Sequence, residues 1–217
     1  MPNFLEAGRG CGFYASMTPN LTIRGFYIFE GFLSPSDQQD LVNELRELSL
    51  KTPMFQPVTP TGKKMSVRMT SLGTKGWVTD RQGYRYEPLH PNGRPWPVIP
   101  ESVLSIWRAV AGVDRLPDSC LMNYYAEATK MGMHQDKDER SFEWPVVSVS
   151  LGDDALFRMG NPTRGGKTES IWLRSGDVVV MGGPARLAYH GIDRIKFGSS
   201  PLLAHGGRLN LTLRVVG

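Results

Sequence analysis

Three residue types at one short spacing suggest chemistry first. His134 and Asp136 flank Gln135, and on an extended backbone alternate side chains share a face. The imidazole and the carboxylate would therefore project the same way. His190, far along the chain, would complete a set of two histidines and one carboxylate. Such a set holds one face of Fe(II) and leaves the opposite positions open. A lone His-x-Asp arises easily by chance, so its weight comes from what surrounds it.

The strand-like stretch Arg208-Leu-Asn-Leu-Thr-Leu-Arg214 is the most regular in the chain. Leu209, Leu211, Leu213 and Val215 take one face, and Arg208, Asn210, Thr212 and Arg214 take the other. Two readings stand at this point. The arginines could face water in an ordinary polar-out strand, or they could face inward, where guanidinium groups require anions such as carboxylates.

A second charge feature lies between Phe55 and Trp96. Lys63, Lys64, Arg68, Lys75, Arg81, Arg85 and Arg94 face only Asp80 and Glu87, whereas the whole chain carries +4. Such a local excess suits a polyanionic partner, or simply a solvated basic surface.

These groups need elements to position them. The chain has 217 residues, 40% apolar and 21% charged, which fits one soluble domain with a real core. No apolar run approaches the ~20 residues that span a bilayer. Met1 to Gly10 shows no signal-type stretch, which makes the cytoplasm the expected location. Cys11 and Cys120 form neither a disulfide framework nor a zinc spacing, and Cys120 reads as a packed strand position.

Residues 1–20 read as a loosely ordered lead-in and Leu21 to Phe32 as a strand. Ser34, Pro35 and Asp37 predict a capped helix start, followed by Leu41, Val42, Leu45 and Leu48 at helical spacing. From Thr52 to Pro100 Gly and Pro punctuate short pieces such as Met65 to Met69, and Trp77 has neighbours without a period. A second helix is expected over Pro100 to Ala111. Strands are expected at Leu121–Tyr125, Val146–Leu151, Ser170–Leu173, Val178–Met181 and Arg208–Val216, with Gly-bearing turns between them. That pattern argues for a sandwich or jelly roll. His90 and His205 lack partners at ligand spacing and read as surface residues. Met122, Met131, Met133, Met159 and Met181 read as gap-fillers, and Trp144 and Trp172 as core or sheet-face aromatics.

Taken together the chain resembles the AlkB family of Fe(II)- and 2-oxoglutarate-dependent dioxygenases, from about Thr52 to the C-terminus, and the first helix also fits. The motifs are Asn123-x-Tyr125, His134-Gln-Asp136-Lys-Asp138, Val147-Ser-Val-Ser-Leu-Gly152, Gly176-Asp-Val-Val-Val180, Tyr189-His190-Gly191 and Arg208-x-Asn210-Leu-Thr-x-Arg214. The resemblance implies an α+β, mainly β chain built on a double-stranded β-helix (jelly roll) flanked by helices, with an N-terminal nucleotide-recognition lid. Residues 21–217 would form one dioxygenase domain, with helices and basic lid over 21–112 and the catalytic core over 113–217.

It further implies Fe(II) held by His134, Asp136 and His190, with the iron-centred oxidant kept there. Arg208 would pair with the distal carboxylate of 2-oxoglutarate, and Arg214 would sit near its chelating end. Asn123, Tyr125 and Asn210 would add hydrogen bonds, and O2 is the other co-substrate. In the lid, Trp77 and Tyr84 would hold the target base and its phosphate. Asp138 would contact the base, Thr59, Met65 and Ser66 would line the pocket, and Arg164 would approach the base edge or backbone. Tyr124, in the middle of its motif, would face away.

The implied reaction is oxidative demethylation of N1-methyladenine and N3-methylcytosine, releasing formaldehyde, succinate and CO2. The implied partner of this monomer is alkylated single-stranded DNA, with duplex DNA or RNA as further candidates. The rivals are an RNA- or tRNA-directed dioxygenase of the same family, a zinc hydrolase using the same triad, and a non-catalytic nucleic-acid-binding module.

Overall fold

The computed structural model describes residues 17–217. Most of the expected lead-in, with Cys11, lies outside these described residues.

The first expected strand is two. β1 (Leu21–Ile23) and β2 (Phe26–Phe29) form a hairpin in which Ile23 faces Phe26. Its two turn residues, Arg24 and Gly25, have φ of 52° and 84°, the mirror-image turn that matches strand twist. The partial alternation of this stretch hid the reversal. α1 (Pro35–Ser49) begins as its sequence predicts: the Ser34 side chain accepts from the Asp37 amide, and Asp37 reaches back to the Ser34 amide. α2 (Glu101–Val110) starts after Pro100 without a side-chain cap.

Between the helices lie β3 (Arg68–Gly73), β4 (Gly76–Asp80) and β5 (Gly83–Glu87). Trp77 therefore sits on a strand of a two-stranded ribbon, despite its lack of sequence period. Of the short piece Met65 to Met69, only Arg68 and Met69 lie in β3. Then follow β6 (Ser119–Tyr125), β7 (Met131–His134), β8 (Val146–Gly152), β9 (Asp154–Met159) and β10 (Glu169–Leu173). β11 (Val178–Met181), β12 (His190–Lys196) and β13 (Arg208–Arg214) complete the chain.

An antiparallel seven-stranded sheet runs β1-β2-β11-β8-β13-β6-β3, and a four-stranded sheet runs β10-β9-β12-β7. The stretch before residue 113 thus supplies β1, β2 and β3 to the same sheet as the later strands. β7, β9 and β12 escaped sequence reading. They belong to the smaller sheet, whose polar outer face and register shifts along β12 break the period.

Alternation on the large sheet decides what faces where. Val178, Val180, Val147, Val149, Leu151, Leu209, Leu211 and Leu213 pack against Leu41, Leu45, Val103, Ile106 and Trp107 of the helices. Their neighbours Phe26, Ile28, Leu121, Tyr125, Val179 and Met181 meet Phe157, Met159 and Ile192 of the small sheet. Burial on both faces explains the apolar runs. It also answers the question posed by β13: all seven of its residues are buried, so its arginines face inward between the sheets.

His90 is a correction. It is buried, not a surface residue. Its Nδ1 accepts from the Asn92 amide at 3.0 Å, its Nε2 lies 3.0 Å from the Pro53 carbonyl, and Trp96 and Phe55 meet its ring edge-on. The Pro/Gly-rich stretch folds back on itself, and the imidazole ties it down. His205 is exposed, Trp144 packs on the helical core, and Trp172 lies on the outer sheet face under Arg194. Cys120 is fully buried, and burial pushes its thiol up to about 12.

Candidate active site

Strand pairing brings the two histidines together. His134 ends β7, His190 begins β12, and the two are cross-strand partners, with ring centroids 4.6 Å apart. Gly191 allows the strands this close: a Cβ there would sit 2.7 Å from the Met131 carbonyl. Asp136 lies two residues beyond the end of β7. Its Oδ1 is 3.7 Å from His134 Nε2 and its Oδ2 is 3.8 Å from His190 Nε2. The three candidate ligand atoms lie within 4.8 Å of one another.

Each imidazole is oriented by its own backbone. His134 Nδ1 lies 2.9 Å from the Gly132 carbonyl and His190 Nδ1 lies 3.1 Å from the Ala188 carbonyl. Donation from Nδ1 fixes the tautomer that leaves both Nε2 lone pairs free toward the common point. The middle residue, Gln135, points elsewhere and donates to the Pro162 and Leu187 carbonyls.

Electrostatics favour a cation. Burial would push the Asp136 carboxyl up, but Arg214 and the two imidazoles hold it well below the usual carboxylate range. Burial against Phe26 and Phe157, with His134 beside it, pushes His190 down to about 4. At neutral pH the site therefore presents a carboxylate and a deprotonated His190, as metal ligation requires.

The ligands open into a cavity of about 500 Å³ between the sheets. Its floor comes from β6 and β13. Arg208 is 1% exposed. It donates to Ser150 Oγ at 3.0 Å and lies over the Tyr125 ring, yet its Nε and Nη1 have no hydrogen-bond partner. Among the described residues no carboxylate pairs with it. Asn123 Oδ1 is also buried without a partner. Burying unpaired polar groups is costly; the free Arg208 donors suit a carboxylate-bearing guest, and the Asn123 oxygen suits a donor. Arg214 differs, because it donates to Asp136 Oδ2 at 2.9 Å and lies 3.1 Å from Glu139. Asn210 has spent its amide donors on Ser148 and the Val149 carbonyl, and its carbonyl oxygen on Thr212.

The roof is the β4–β5 ribbon. Trp77, Tyr84, Met65, Asp138 and Arg164 line the cavity, with Met131, Met133 and Met181 on its walls. Thr59 and Ser66 do not line it: Thr59 bonds within its own turn, and the Ser66 hydroxyl donates to the Lys130 carbonyl. Trp77 stacks on Tyr84 and donates to Asp138 at 2.8 Å. Tyr124 points away, toward the helical core and the Gly206 carbonyl.

Tyr86, Glu139 and Arg186 went unread in the sequence. Arg186 donates to the Asp136 and Trp144 carbonyls and to Glu139, stitching the segment before His190 to the loop after Asp136. Glu139 lies three residues past a ligand and Arg186 four before one, but no spacing rule marks such braces.

Residues 25–214 match the model of the 2OG-Fe(II) oxygenase superfamily. The alpha-ketoglutarate-dependent dioxygenase AlkB homolog of Caulobacter vibrioides is 46% identical over 209 residues, 96% of this chain and 94% of that protein. The alpha-ketoglutarate-dependent dioxygenase AlkB of Escherichia coli is 43% identical over 184 residues, 82% of this chain and 85% of that protein. The solved structure of OsALKBH1 superposes with a TM-score of 0.77 at 34% identity, covering 90% of this chain and 99% of that one.

Proposed function

This chain belongs to the AlkB family of 2OG-Fe(II) oxygenases, and from that premise we propose that it repairs nucleic acids by removing N-linked methyl groups, as on N1-methyladenine and N3-methylcytosine. It is an Fe(II)- and 2-oxoglutarate-dependent dioxygenase. The methyl group, O2 and 2-oxoglutarate become formaldehyde, succinate and CO2, and the base is restored.

Arg208 carries this reading. A buried guanidinium with two nitrogens unpartnered, facing the cavity beside two histidines and a carboxylate, is not a group that hydrolysis on the same triad requires. It suits the distal carboxylate of 2-oxoglutarate. When bound, iron with its co-substrates supplies the oxidising chemistry.

The chain's own residues bind, orient and shield. His134, Asp136 and His190 hold the metal, and Arg214 fixes the Asp136 carboxylate from behind. Tyr125 and Asn123 add polar contacts to the co-substrate pocket, and the paired amide of Asn210 keeps its wall rigid. The apolar walls, rich in methionine, exclude bulk water from the reacting methyl group. Trp77 offers a stacking surface for a base taken out of its strand, and Asp138 offers a carboxylate to a cationic methylated ring. Lys63, Lys64, Arg81 and Arg94, all exposed, attract the phosphates.

The test is mass spectrometry of a single-stranded DNA bearing one N1-methyladenine, incubated with protein, Fe(II), O2 and ascorbate. Loss of the methyl group only with 2-oxoglutarate is the expected result. Succinate without demethylation would move the substrate to RNA or another lesion. Neither product, in protein that holds Fe(II), would overturn the assignment.

A further inference from the structure

The roof ribbon meets the metal-bearing loop at two adjacent points. In the β4–β5 register Trp77 stands directly opposite Tyr86, and such cross-strand partners share a face. Trp77 Nε1 donates to Asp138 Oδ2 at 2.8 Å, and the Tyr86 hydroxyl donates to Glu139 Oε1 at 2.9 Å. Asp138 and Glu139 are consecutive and follow Asp136 closely, so one pair of strands grips one dipeptide of the ligand loop.

The two bonds sit in different surroundings. Asp138 is exposed, and Tyr84, stacked on Trp77, is 51% exposed. The Glu139 side chain is only 1% exposed. Besides Tyr86 it lies 3.1 Å from both Arg186 and Arg214, which in turn hold the Asp136 carbonyl and carboxylate. Two buried acids and two buried arginines thus form a balanced block, and the neutral Tyr86 hydroxyl ties the ribbon to it.

We infer that Tyr86 is a positioning residue that pins the ribbon to Glu139 as a fixed pivot, while the exposed Trp77–Asp138 bond is the contact exchanged for an incoming base. The second half rests on the proposed action on nucleic acids, because a base using Trp77 and Asp138 competes for the ring and the carboxylate they now share. The pivot keeps the ribbon aligned over the metal loop during that exchange. Without it, 2-oxoglutarate would be consumed with the base imperfectly placed.

Two measurements on Tyr86→Phe test this, one of them independent of any substrate. Amide hydrogen exchange across residues 76–87 should speed up about tenfold, the effect of losing one hydrogen bond to a buried charge. Trp77→Phe, which removes the exposed bond while keeping an aromatic ring against Tyr84, should change that exchange by less than about twofold. In turnover, methyl groups removed per succinate formed should fall about fivefold in Tyr86→Phe, and Glu139→Gln should lower the same ratio.

A packing defect would reduce succinate and demethylation in parallel and leave their ratio intact; that result would overturn the inference. Unchanged exchange in Tyr86→Phe would overturn it too, whatever the activity. Wild-type protein that fails to demethylate the oligonucleotide would strike the functional reading instead. The pivot would then stand or fall on exchange alone.

Discussion

Two arginine sites in this molecule show how burial changes the meaning of one side chain. On the roof, Arg85 lies 2.8 Å from Asp80 and 2.5 Å from Glu87, with all three side chains about a third to a half exposed. The pairs raise the Arg85 guanidinium and hold Asp80 near 2. On the floor, Arg208 is buried with two nitrogens unpaired, and burial lowers its guanidinium. The roof has met its local electrostatic needs within one hairpin. The floor has left one open, and on the proposed function the co-substrate would close it. Arg85 also takes both acids of the basic stretch, leaving Lys63, Lys64, Arg68, Arg81 and Arg94 exposed and without a carboxylate partner among the described residues.

The sharpest way to break the comparison is Arg208→Ala. Removing one partner of a buried charge pair costs roughly 3–4 kcal/mol, or a few hundredfold. The 2-oxoglutarate concentration for half-maximal succinate formation should rise by that factor, while Fe(II) binding stays close to wild type. An unchanged co-substrate requirement would remove Arg208 from co-substrate binding and make floor and roof alike.

The buried histidine beside the floor should titrate in a pH range where the roof's ion pairs do not. His190 has a folded value near 4 against about 6.5 in an unfolded chain. A depressed histidine binds its proton more readily when unfolded, so stability is full above about 6.5 and falls as the pH drops toward 4. For chelator-treated protein the loss should be on the order of 3 kcal/mol across that window, read from urea unfolding at several pH values. Asp136, whose value is lowered, adds its own loss only below about 3.8. A flat profile between 6.5 and 4 would mean that His190 is not desolvated as the fold implies.

These contrasts explain what the sequence could and could not disclose. The capped start of α1, the strands at 121–125 and 178–181 and the alternation of β13 were legible because local pattern and burial agree there. The direction of the arginines on β13 was not, since alternation alone cannot say which face is the outside when both are covered. His134, Asp136 and His190 were readable as a set, although β7 and β12, which pair them, were not. Those strands are short and irregular, and Gly191 matters only because another strand lies against it. Tyr86, Glu139 and Arg186 stayed hidden because their roles exist only after three distant segments meet. His90 misled for the same reason: a Pro/Gly-rich context looks exposed until Phe55 and Trp96 close over it.

A smaller effect is expected at Trp77. Base–aromatic stacking contributes about 1–3 kcal/mol by alanine substitution, so Trp77→Ala should raise KM for a methylated oligonucleotide roughly tenfold. The same variant should alter 2-oxoglutarate turnover without nucleic acid much less, because no floor residue is touched. Equal losses in both assays would make the indole a packing element of the cavity and erase its distinction from the walls.

The smallest effect belongs to Arg85, and it tests the comparison from the other side. Its two ion pairs look tight, yet exposed pairs contribute little once screening and side-chain ordering are counted. Arg85→Ala should shift Tm by no more than about 2 °C, and raising the salt concentration should reduce even that. Because the substitution frees Asp80 and Glu87 and removes a positive charge, it should weaken oligonucleotide binding by a factor of a few and flatten its salt dependence by less than one counterion. A Tm loss as large as that expected from a core substitution would show that the ribbon depends on its own ion pairs for shape. The buried Tyr86–Glu139 contact would then be one anchor among several, and the division between a self-satisfied roof and an expectant floor would have to be redrawn around Arg85.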